Sequence, residues 1–295
     1  MLKKLIFQVD HQGIDQIEQE ILFSLISDKL IAIGCLSVSN ISGENELSQP
    51  LQYIEVIVEA KIHNNRVKKC FESHVKITNF DELRLINSTS WVESYKDTVE
   101  PVIINNSFFI APDWIEVPQD KKNLSVIRIN PGMAFGTGLH PTTQMCLQLI
   151  SGIPLSNKNV IDLGCGSGIL GIACAKRGAK SVTFIDNDIV ALGITRENII
   201  KNSCQEIDYK ITSTLSKNSK KADYIFANIL LNPLKNMAKT INSKVKRKGQ
   251  VFLSGILIDQ VESLLASYEE HAERRLVKLV ELHMKQWACV QITYR

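Results

Sequence analysis

Three closely spaced glycines follow an apolar run and could bring backbone into contact with a bound ligand. The run reads Val160-Ile161-Asp162-Leu163-Gly164-Cys165-Gly166-Ser167-Gly168. Glycine permits unusual backbone angles and lacks the Cβ that would collide with a ligand at the first strand-to-helix turn of an open sheet. The next apolar run ends in Asp186, 22 residues after Gly164, where a carboxylate could accept the two ribose hydroxyls of an adenosine.

The glycine spacing alone leaves two cofactors open. Gly166-x-Gly168-x-x-Gly171 also fits the fingerprint of NAD-binding enzymes, and a lone match of that kind is weak. Asp162 before the first glycine and the polar turn Asn228-Ile229-Leu230-Leu231-Asn232-Pro233 favour S-adenosylmethionine instead. A carboxylate near the loop can balance a sulfonium and an amino group, and NAD has neither. We therefore expect S-adenosylmethionine as methyl donor.

A long segment without apolar periodicity, Asn130 to Thr143, precedes this turn. It contains three glycines and two prolines, and Thr142 or Thr143 would cap the helix predicted over Gln144–Ile150. Its length without structure argues for function. We predict a lid over the methionine end of the cofactor, covered by Phe135; an ordinary capped loop is the alternative.

Candidates for acid–base chemistry are few. The amide of Asn228 can accept from an ammonium or donate to the cofactor, so it is the residue expected to contact cofactor or incoming amine. His140 is a possible general base, although a histidine that caps a loop is more often structural. The basic run Lys244–Lys248 is predicted to be a solvated helix end rather than an RNA site. No convincing catalytic base is present.

Apolar periodicity predicts the elements that position these residues. From Val160 onward, strands alternate with helices, which is typical of a parallel, doubly wound α/β sheet. The last two strands could close the sheet as an antiparallel hairpin. The predicted strands are 159–163, 181–185, 207–211, 223–227, 250–254, 276–281 and 287–293, and the predicted helices are 169–177, 189–202, 233–246 and 259–271.

The order of elements before residue 91 differs. It reads strand, helix, strand, strand, short helix, strand, which matches a small ferredoxin-like α+β sandwich. Residues 91–121 lose periodicity and gain aromatics and prolines, as expected of a linker or of an extended edge segment of the following domain. The predicted organisation is a ferredoxin-like domain over 1–90, a linker over 91–121 and a cofactor-binding domain over 122–295.

Charge divides the chain unevenly. Residues 1–120 contain 10 Lys and Arg against 18 Asp and Glu, and residues 121–295 contain 24 against 13, so the net charges are −8 and +11. An acidic front half suits a basic partner.

The seven cysteines include no Cys-x-x-Cys pair, so no disulfide framework and no metal are expected. No apolar run of about 18 residues and no signal peptide are present, which favours a cytoplasmic protein without a membrane partner.

In these motifs the chain is similar to the PrmA family, the bacterial methyltransferases of ribosomal protein L11. The similarity extends from Trp91 to Trp114 and through Leu253–Leu257, with the N-terminal domain matched in pattern only. Asn130 and Leu139 depart from the family, which usually has Asp and often Thr there. The motifs that carry the similarity are Ala134-Phe135-Gly136-Thr137-Gly138, His140-Pro141-Thr142-Thr143, Asp162 to Leu170 and Ala227-Asn228-Ile229-Leu230.

The resemblance implies a Rossmann-like class I methyltransferase sheet with cofactor contacts at Thr143, Gly164, Asp186 and Asn228. The glycine turn adds Gly166, and the loop adds Phe135. The resemblance also implies methylation of lysine ε-amines and the N-terminal α-amine of L11. The acidic front half is expected to recognise this basic protein, and no direct contact with nucleic acid is expected. A methyltransferase of RNA or of a small amine is the alternative. A non-enzymatic binding module is a third interpretation, against which the four retained contact residues argue.

Overall fold

The structure, a computed structural model, divides into two compact units. The first comprises the described residues up to Glu100, and the second comprises those of 101–130 and from 136 onward. Residues 101–121, part of the predicted linker, therefore group with the second unit. The described residues are 2–10, 35–44, 50–71, 75–85, 100–130, 136, 138–216 and 219–294, with isolated positions between 19 and 33.

The first unit contains a four-stranded antiparallel sheet in the order β2-β3-β1-β4. Alternate residues of β1 point into its core, where the Phe7 ring lies 4.5 Å from Phe71 and 5.0 Å from Phe80. The helix predicted after β1 lies largely outside the described residues, so the ferredoxin-like domain stays a prediction. The elements are β1 Leu2–Asp10, β2 Cys35–Glu44, β3 Pro50–Glu59, α1 Asn64–Lys68 and β4 Lys76–Leu85.

The second unit begins with a small three-stranded sheet. Strands β5 (Val102–Ile104) and β6 (Phe108–Ala111) are antiparallel, and β7 (Ser125–Arg128) runs parallel to β6. Asn105 and Asn106 form the turn between β5 and β6 at φ of 47°, a conformation that asparagine tolerates better than most residues. The described part of the predicted linker therefore contains two short strands.

A seven-stranded sheet in the order β10-β9-β8-β11-β12-β14-β13 forms the body of this unit. The first five strands are parallel, and β14 and β13 add an antiparallel hairpin. This confirms the predicted mostly parallel sheet with an antiparallel end. The elements are α2 Pro141–Gly152, β8 Asn159–Leu163, α3 Ile169–Lys176, β9 Ser181–Ile185, α4 Ile189–Lys201, β10 Asp208–Thr212, β11 Ala222–Asn228, α5 Leu231–Lys244, β12 Val245–Leu257, α6 Val261–Glu270, β13 Leu276–Met284 and β14 Trp287–Tyr294.

Strand side chains alternate between two buried cores, one on each face of this sheet. In β11, Phe226 packs in one core and Ile225 in the other. Phe226 stacks on Phe252 of β12 with ring centroids 4.3 Å apart. Because both faces are covered, the central strand β11 is buried on both faces from Tyr224 onward, as central parallel strands usually are. The carboxyl ends of β8, β9 and β11 therefore meet at one edge, where the predicted site residues lie.

Candidate active site

The glycine turn after β8 has the strained geometry that its sequence predicts. Gly164, Gly166 and Gly168 have φ values of 68°, 53° and 81°, in the left-handed region that favours glycine. A Cβ on Gly164 would lie 2.2 Å from Cγ2 of Ile229. The three glycines thus present backbone without side chains at this edge of the sheet, and Gly164 packs directly against the loop that follows β11.

Asp186 is tied to the same turn from the neighbouring strand β9. Its Oδ2 accepts the N–H of Gly166 at 2.9 Å, and its Oδ1 accepts the N–H of Asp188 at 3.0 Å. Each carboxylate oxygen retains acceptor capacity beyond this bond. The side chain is therefore held in place beside the turn while still able to accept from a diol.

Asp162 lies beneath the turn and is 1% exposed. Its Oδ2 accepts the N–H of Gly171 at 2.8 Å, which fixes the start of α3. Burial raises the pKa of this carboxyl to about 7, the Gly171 N–H opposes the rise, and the nearby Asp186 adds to it. The residue therefore positions the helix, and the interpretation that it balances a cofactor charge stays a prediction.

Asn228 ends β11 and is 8% exposed. Its Nδ2 donates to Oγ1 of the fully buried Thr143 at 3.2 Å. Its Oδ1 is buried and has no hydrogen-bond partner among the described residues. A buried carbonyl oxygen without a donor is costly, so this atom is a candidate for accepting from a ligand.

Two glycines hold the turn after Asn228. Gly164 faces the side chain of Ile229, and Gly255 of β12 faces its backbone, where a Cβ would lie 2.6 Å from the Ile229 carbonyl oxygen. The Ile229 N–H donates to the Ser254 carbonyl at 3.1 Å. The unpartnered oxygen of Asn228 is thus fixed by backbone packing on both sides.

Helix α2 begins differently from the prediction. His140, rather than Thr142 or Thr143, is the N-cap: its Nδ1 accepts the N–H of Thr142 at 3.3 Å and lies 2.7 Å from the Thr142 hydroxyl oxygen. The prediction was wrong because Pro141 fits the first helical turn, which moves the cap one residue upstream of the threonines. Burial, assisted by Lys285, lowers the pKa of His140 to about 4. The imidazole is neutral at pH 7 and uses Nδ1 as a structural acceptor.

The lid residue Phe135 lies outside the described residues, so its covering role stays a prediction. Gly136, which follows it, is described and buried, with φ of 98°. Its carbonyl accepts the hydroxyl of Ser167 at 2.6 Å, and Ser167 is 2% exposed. This bond joins the end of the predicted lid segment to the glycine turn.

Sequence reasoning missed a polar face of α4 that supports the turn. Thr195 Oγ1 donates to the Gly166 carbonyl, and Asn198 Nδ2 donates to the Ser167 carbonyl, both at 2.8 Å. Both side chains are buried. The signal was present as polar residues on the helix face that should be apolar.

The four residues Thr143, Gly164, Asp186 and Asn228 thus meet at the carboxyl edge of the sheet, together with Gly166. Among the described residues, no group of three or more His, Cys, Asp or Glu could hold a metal ion. Within the same residues, no helix has the length and hydropathy needed to cross a membrane. The geometry fits an adenosine-containing ligand with a cationic end near Asn228.

Comparison with known proteins gives one recurrent name. A family model described as "Ribosomal protein L11 methyltransferase (PrmA)" matches residues 24–295. Ribosomal protein L11 methyltransferases of Marinomonas sp. (strain MWYL1) and Shewanella pealeana are 33% identical over 233 residues and 35% identical over 265 residues. These matches cover 79% and 83% of this chain and 75% and 87% of those proteins. The crystal structure of ribosomal protein L11 methylase from Lactobacillus delbrueckii subsp. bulgaricus has a TM-score of 0.59 and 32% identity, covering 65% of this chain and 98% of that one.

Proposed function

Since this chain belongs to the ribosomal protein L11 methyltransferase (PrmA) family, we propose that it transfers methyl groups from S-adenosylmethionine to amines of ribosomal protein L11. The proposed acceptors are lysine ε-amines and the N-terminal α-amine. Because ribosomal proteins are made in the cytoplasm, this proposal includes the location expected from the sequence. The names of the relatives favour it over methylation of RNA or of a small amine.

The unpartnered Oδ1 of Asn228 is the observation that carries the proposal. An acceptor buried without a donor costs about 1–3 kcal/mol, and a bound ammonium or amine would remove that cost. S-adenosylmethionine has an ammonium at its methionine end, and the substrate brings an amine. NAD has no ammonium, so a charged N–H donor at this oxygen would come from the methyl donor or from the amine substrate.

The remaining site residues fit the other parts of S-adenosylmethionine. The bare backbone of Gly164 and Gly166 allows close approach of the cofactor, and the oxygens of Asp186 can accept the ribose hydroxyls. Thr143 holds the Asn228 amide so that its oxygen faces away from Thr143. When bound, the cofactor supplies a methyl group on a positively charged sulfur.

The chain's own contribution is to desolvate and orient the amine. A lysine amine has a pKa of about 10.4 and must lose a proton before its lone pair can attack. Transfer to a buried position beside Asn228 lowers that pKa, because burial disfavours the charged form. When Asn228 Oδ1 accepts one N–H of the amine, the nitrogen lone pair points toward the methyl group. Holding the amine, the methyl carbon and the sulfur in line supplies much of the rate of methyl transfer.

No histidine of the site acts as base in this mechanism. His140 already accepts a backbone N–H at Nδ1, and its pKa of about 4 makes it a weak base at neutral pH. The neutral ring therefore carries its proton on Nε2. The proton of the amine passes to water.

The acidic front half supports recognition of this substrate. A net charge of −8 over residues 1–120 attracts a basic protein and raises its association rate at low salt. We propose that this half, including the predicted domain 1–90, recognises the ribosomal protein. Added salt should accordingly raise the KM for L11 more than the Kd for S-adenosylmethionine.

Methyl transfer from radiolabelled S-adenosylmethionine tests the proposal. Purified L11, ribosomal RNA and a small amine are each incubated with the full chain, and we expect label on L11 alone. Asn228→Ala should lower kcat/KM by about 10- to 100-fold, since a hydrogen bond to a charged group is worth about 1.5–3 kcal/mol. The matched control is Asn236→Ala, an exposed amide further along α5 that should have no effect. Label on RNA, or none on L11, would contradict the proposal, and mass spectrometry identifies the modified amines.

A further inference from the structure

A basic cleft lies at the amino edge of the seven-stranded sheet, opposite the candidate active site. Its volume is about 660 Å³. It is formed where the C-termini of α5 and α6 meet the starts of β11, β12 and β13. Four cationic side chains line it, Lys221, Lys239, Arg247 and Arg274.

The cations of this cleft remain available to a ligand. Lys221, Lys239 and Arg247 are exposed and form no ion pair with any described residue. Within the same basic run, by contrast, Lys246 is paired with Asp223 at 2.7 Å. The run is therefore divided between residues that stabilise the fold and residues that point into solvent.

Arg274 is preorganised at the floor of the cleft. Its guanidinium donates to the carbonyls of Lys246 and Val245 at 3.4 and 3.3 Å and lies 5.4 Å from the centre of the Tyr294 ring. Two acids, Glu270 and Glu273, also line the cleft, so its four cations leave a positive balance. The planar guanidinium has five N–H donors that suit phosphate recognition, and the two carbonyl bonds of Arg274 leave others available.

Helix dipoles explain little of this charge. The cation in the last turn of α5, where a positive charge is favourable, is Lys244, and Lys239 lies before that turn. A helix dipole does not account for the other cations of the cleft, because they belong to strands and loops: Lys221, Arg247 and Arg274. Lys248, beside Arg247, has φ of 62°, a conformation in which glycine would be less strained. A lysine thus occupies a position at which backbone strain alone would favour glycine.

We propose that this cleft binds the phosphate backbone of RNA. The cations line an open cleft, and the helix ends at it are C-termini, which supply none of the free N–H donors that enclose a single small anion at a helix N-terminus. Several exposed cations along an open cleft instead suit a polyanion, whose binding releases counterions. The inference rests on the proposed function, because a ribosomal protein is the kind of substrate that an enzyme meets on RNA.

The position of the cleft gives RNA the role of carrier rather than methyl acceptor. Lys221 and Asn228 lie at opposite ends of β11, which has seven residues and therefore separates them by roughly 20 Å. RNA bound at the cleft remains distant from the unpartnered amide oxygen. The proposal departs from the sequence expectations that the basic run is only solvated and that the enzyme makes no direct contact with nucleic acid.

Fluorescence anisotropy with a short labelled RNA hairpin tests the cleft directly. The full chain is titrated at about 50 and about 200 mM salt, and four phosphate contacts predict a slope of log K against log salt of about −3.6. Lys239→Glu with Arg247→Glu should weaken binding about tenfold or more. The matched control, Lys180→Glu with Lys210→Glu, reverses two exposed lysines before β9 and in β10 and should change binding less than about twofold. Salt-independent binding, no binding, or equal loss in both pairs would overturn the proposal.

Methylation assays then separate this inference from the proposed function. L11 is supplied either free or bound to ribosomal RNA, and the cleft variant should slow methylation of the RNA-bound form only. Equal slowing of both forms would mean that the cleft contacts the protein substrate, which overturns the RNA assignment. Absence of methylation of free L11 by the unaltered enzyme refutes the proposed function instead, while the anisotropy result stands on its own.

Discussion

The two edges of the seven-stranded sheet recognise ligands by different physical means. At the carboxyl edge, Asp186 and Asn228 are held by hydrogen bonds, and Gly164 is packed against the Ile229 side chain. At the amino edge, Lys239 and Arg247 are exposed and unpaired among the described residues. The carboxyl edge holds individual hydrogen-bonding atoms in fixed positions, and the amino edge presents exposed positive charges.

This difference predicts different sensitivities to substitution. A site that depends on placement fails when one fixed atom moves, because its neighbours cannot adjust. A surface that depends on charge loses affinity gradually, in proportion to the cations removed. Substitutions at the carboxyl edge should therefore have larger individual effects, and the following predictions test that ranking.

Gly164→Ala should have the largest effect. The left-handed backbone costs about 1–2 kcal/mol for a residue with Cβ, and overpacking against Ile229 adds about 1–3 kcal/mol. Displacement of the Ile229 turn also moves Asn228, so affinity for S-adenosylmethionine should fall about 100-fold or more, equivalent to about 2.7 kcal/mol. Calorimetric titration and urea unfolding measure the two effects.

Two other glycines separate strain from collision. Gly178 has φ of 87° but open space around its Cβ position, so Gly178→Ala should lose about 1–2 kcal/mol of stability and keep cofactor affinity. Gly193, inside α4, also has open space and no positive φ, so Gly193→Ala should be neutral or stabilising. If Gly164→Ala behaved like Gly178→Ala, the carboxyl edge would not depend on exact packing.

The sequence was sufficient to predict the carboxyl edge because its parts follow the ends of consecutive buried strands. Gly164, Asp186 and Asn228 each terminate a strand, and parallel pairing brings strand ends together without further information. His140 was assigned less well. A histidine cap depends on ring orientation, which spacing does not determine, whereas threonine is the more common cap by residue type.

The amino edge could not be predicted in the same way. Lys221, Arg247 and Arg274 are separated by more than twenty residues in sequence. Lys221 and Arg247 meet through the pairing of β11 with β12, and Arg274 joins them through its hydrogen bonds to the start of β12. A linear basic run gives no indication of which members pair internally. Lys246 is paired with Asp223, but Arg247 is exposed, and only the tertiary structure distinguishes them.

Asp162→Asn should have the next largest effect, and on stability rather than binding. The raised pKa of about 7 means that the folded state favours the protonated acid, so stability from this group is present at low pH and is lost as pH rises toward 7. Asparagine can still accept the Gly171 N–H but does not titrate. Between about pH 5 and about pH 8, the wild type should lose about 2–3 kcal/mol relative to the variant, at about 1.4 kcal/mol per pKa unit.

Urea unfolding of both proteins without cofactor, at the two pH values, provides this comparison. A constant difference between wild type and variant would show that Asp162 does not titrate in that range. The buried Asp162 would then act at the carboxyl edge through its hydrogen bond to Gly171 alone, without a pH-dependent contribution.

His140→Ala should have the smallest effect of this series, although His140 lies at the carboxyl edge. Loss of the N-cap acceptor should cost about 1 kcal/mol of stability at neutral pH, and His140→Asn should retain most of it because asparagine caps well. Because the pKa of His140 is lowered to about 4, its contribution to stability is present above about pH 6.5 and is lost in the wild type as the pH falls toward 4. The asparagine variant should not show this loss, because asparagine does not titrate. Both variants should keep cofactor affinity within about twofold and leave the pH profile of methylation unchanged, since a structural cap supplies far less than the 10²-fold or more of a catalytic base. A stable His140→Asn enzyme with little methylation activity would instead show that this imidazole takes part in proton transfer. The atoms whose positions matter at the carboxyl edge would then include the side chain that caps α2.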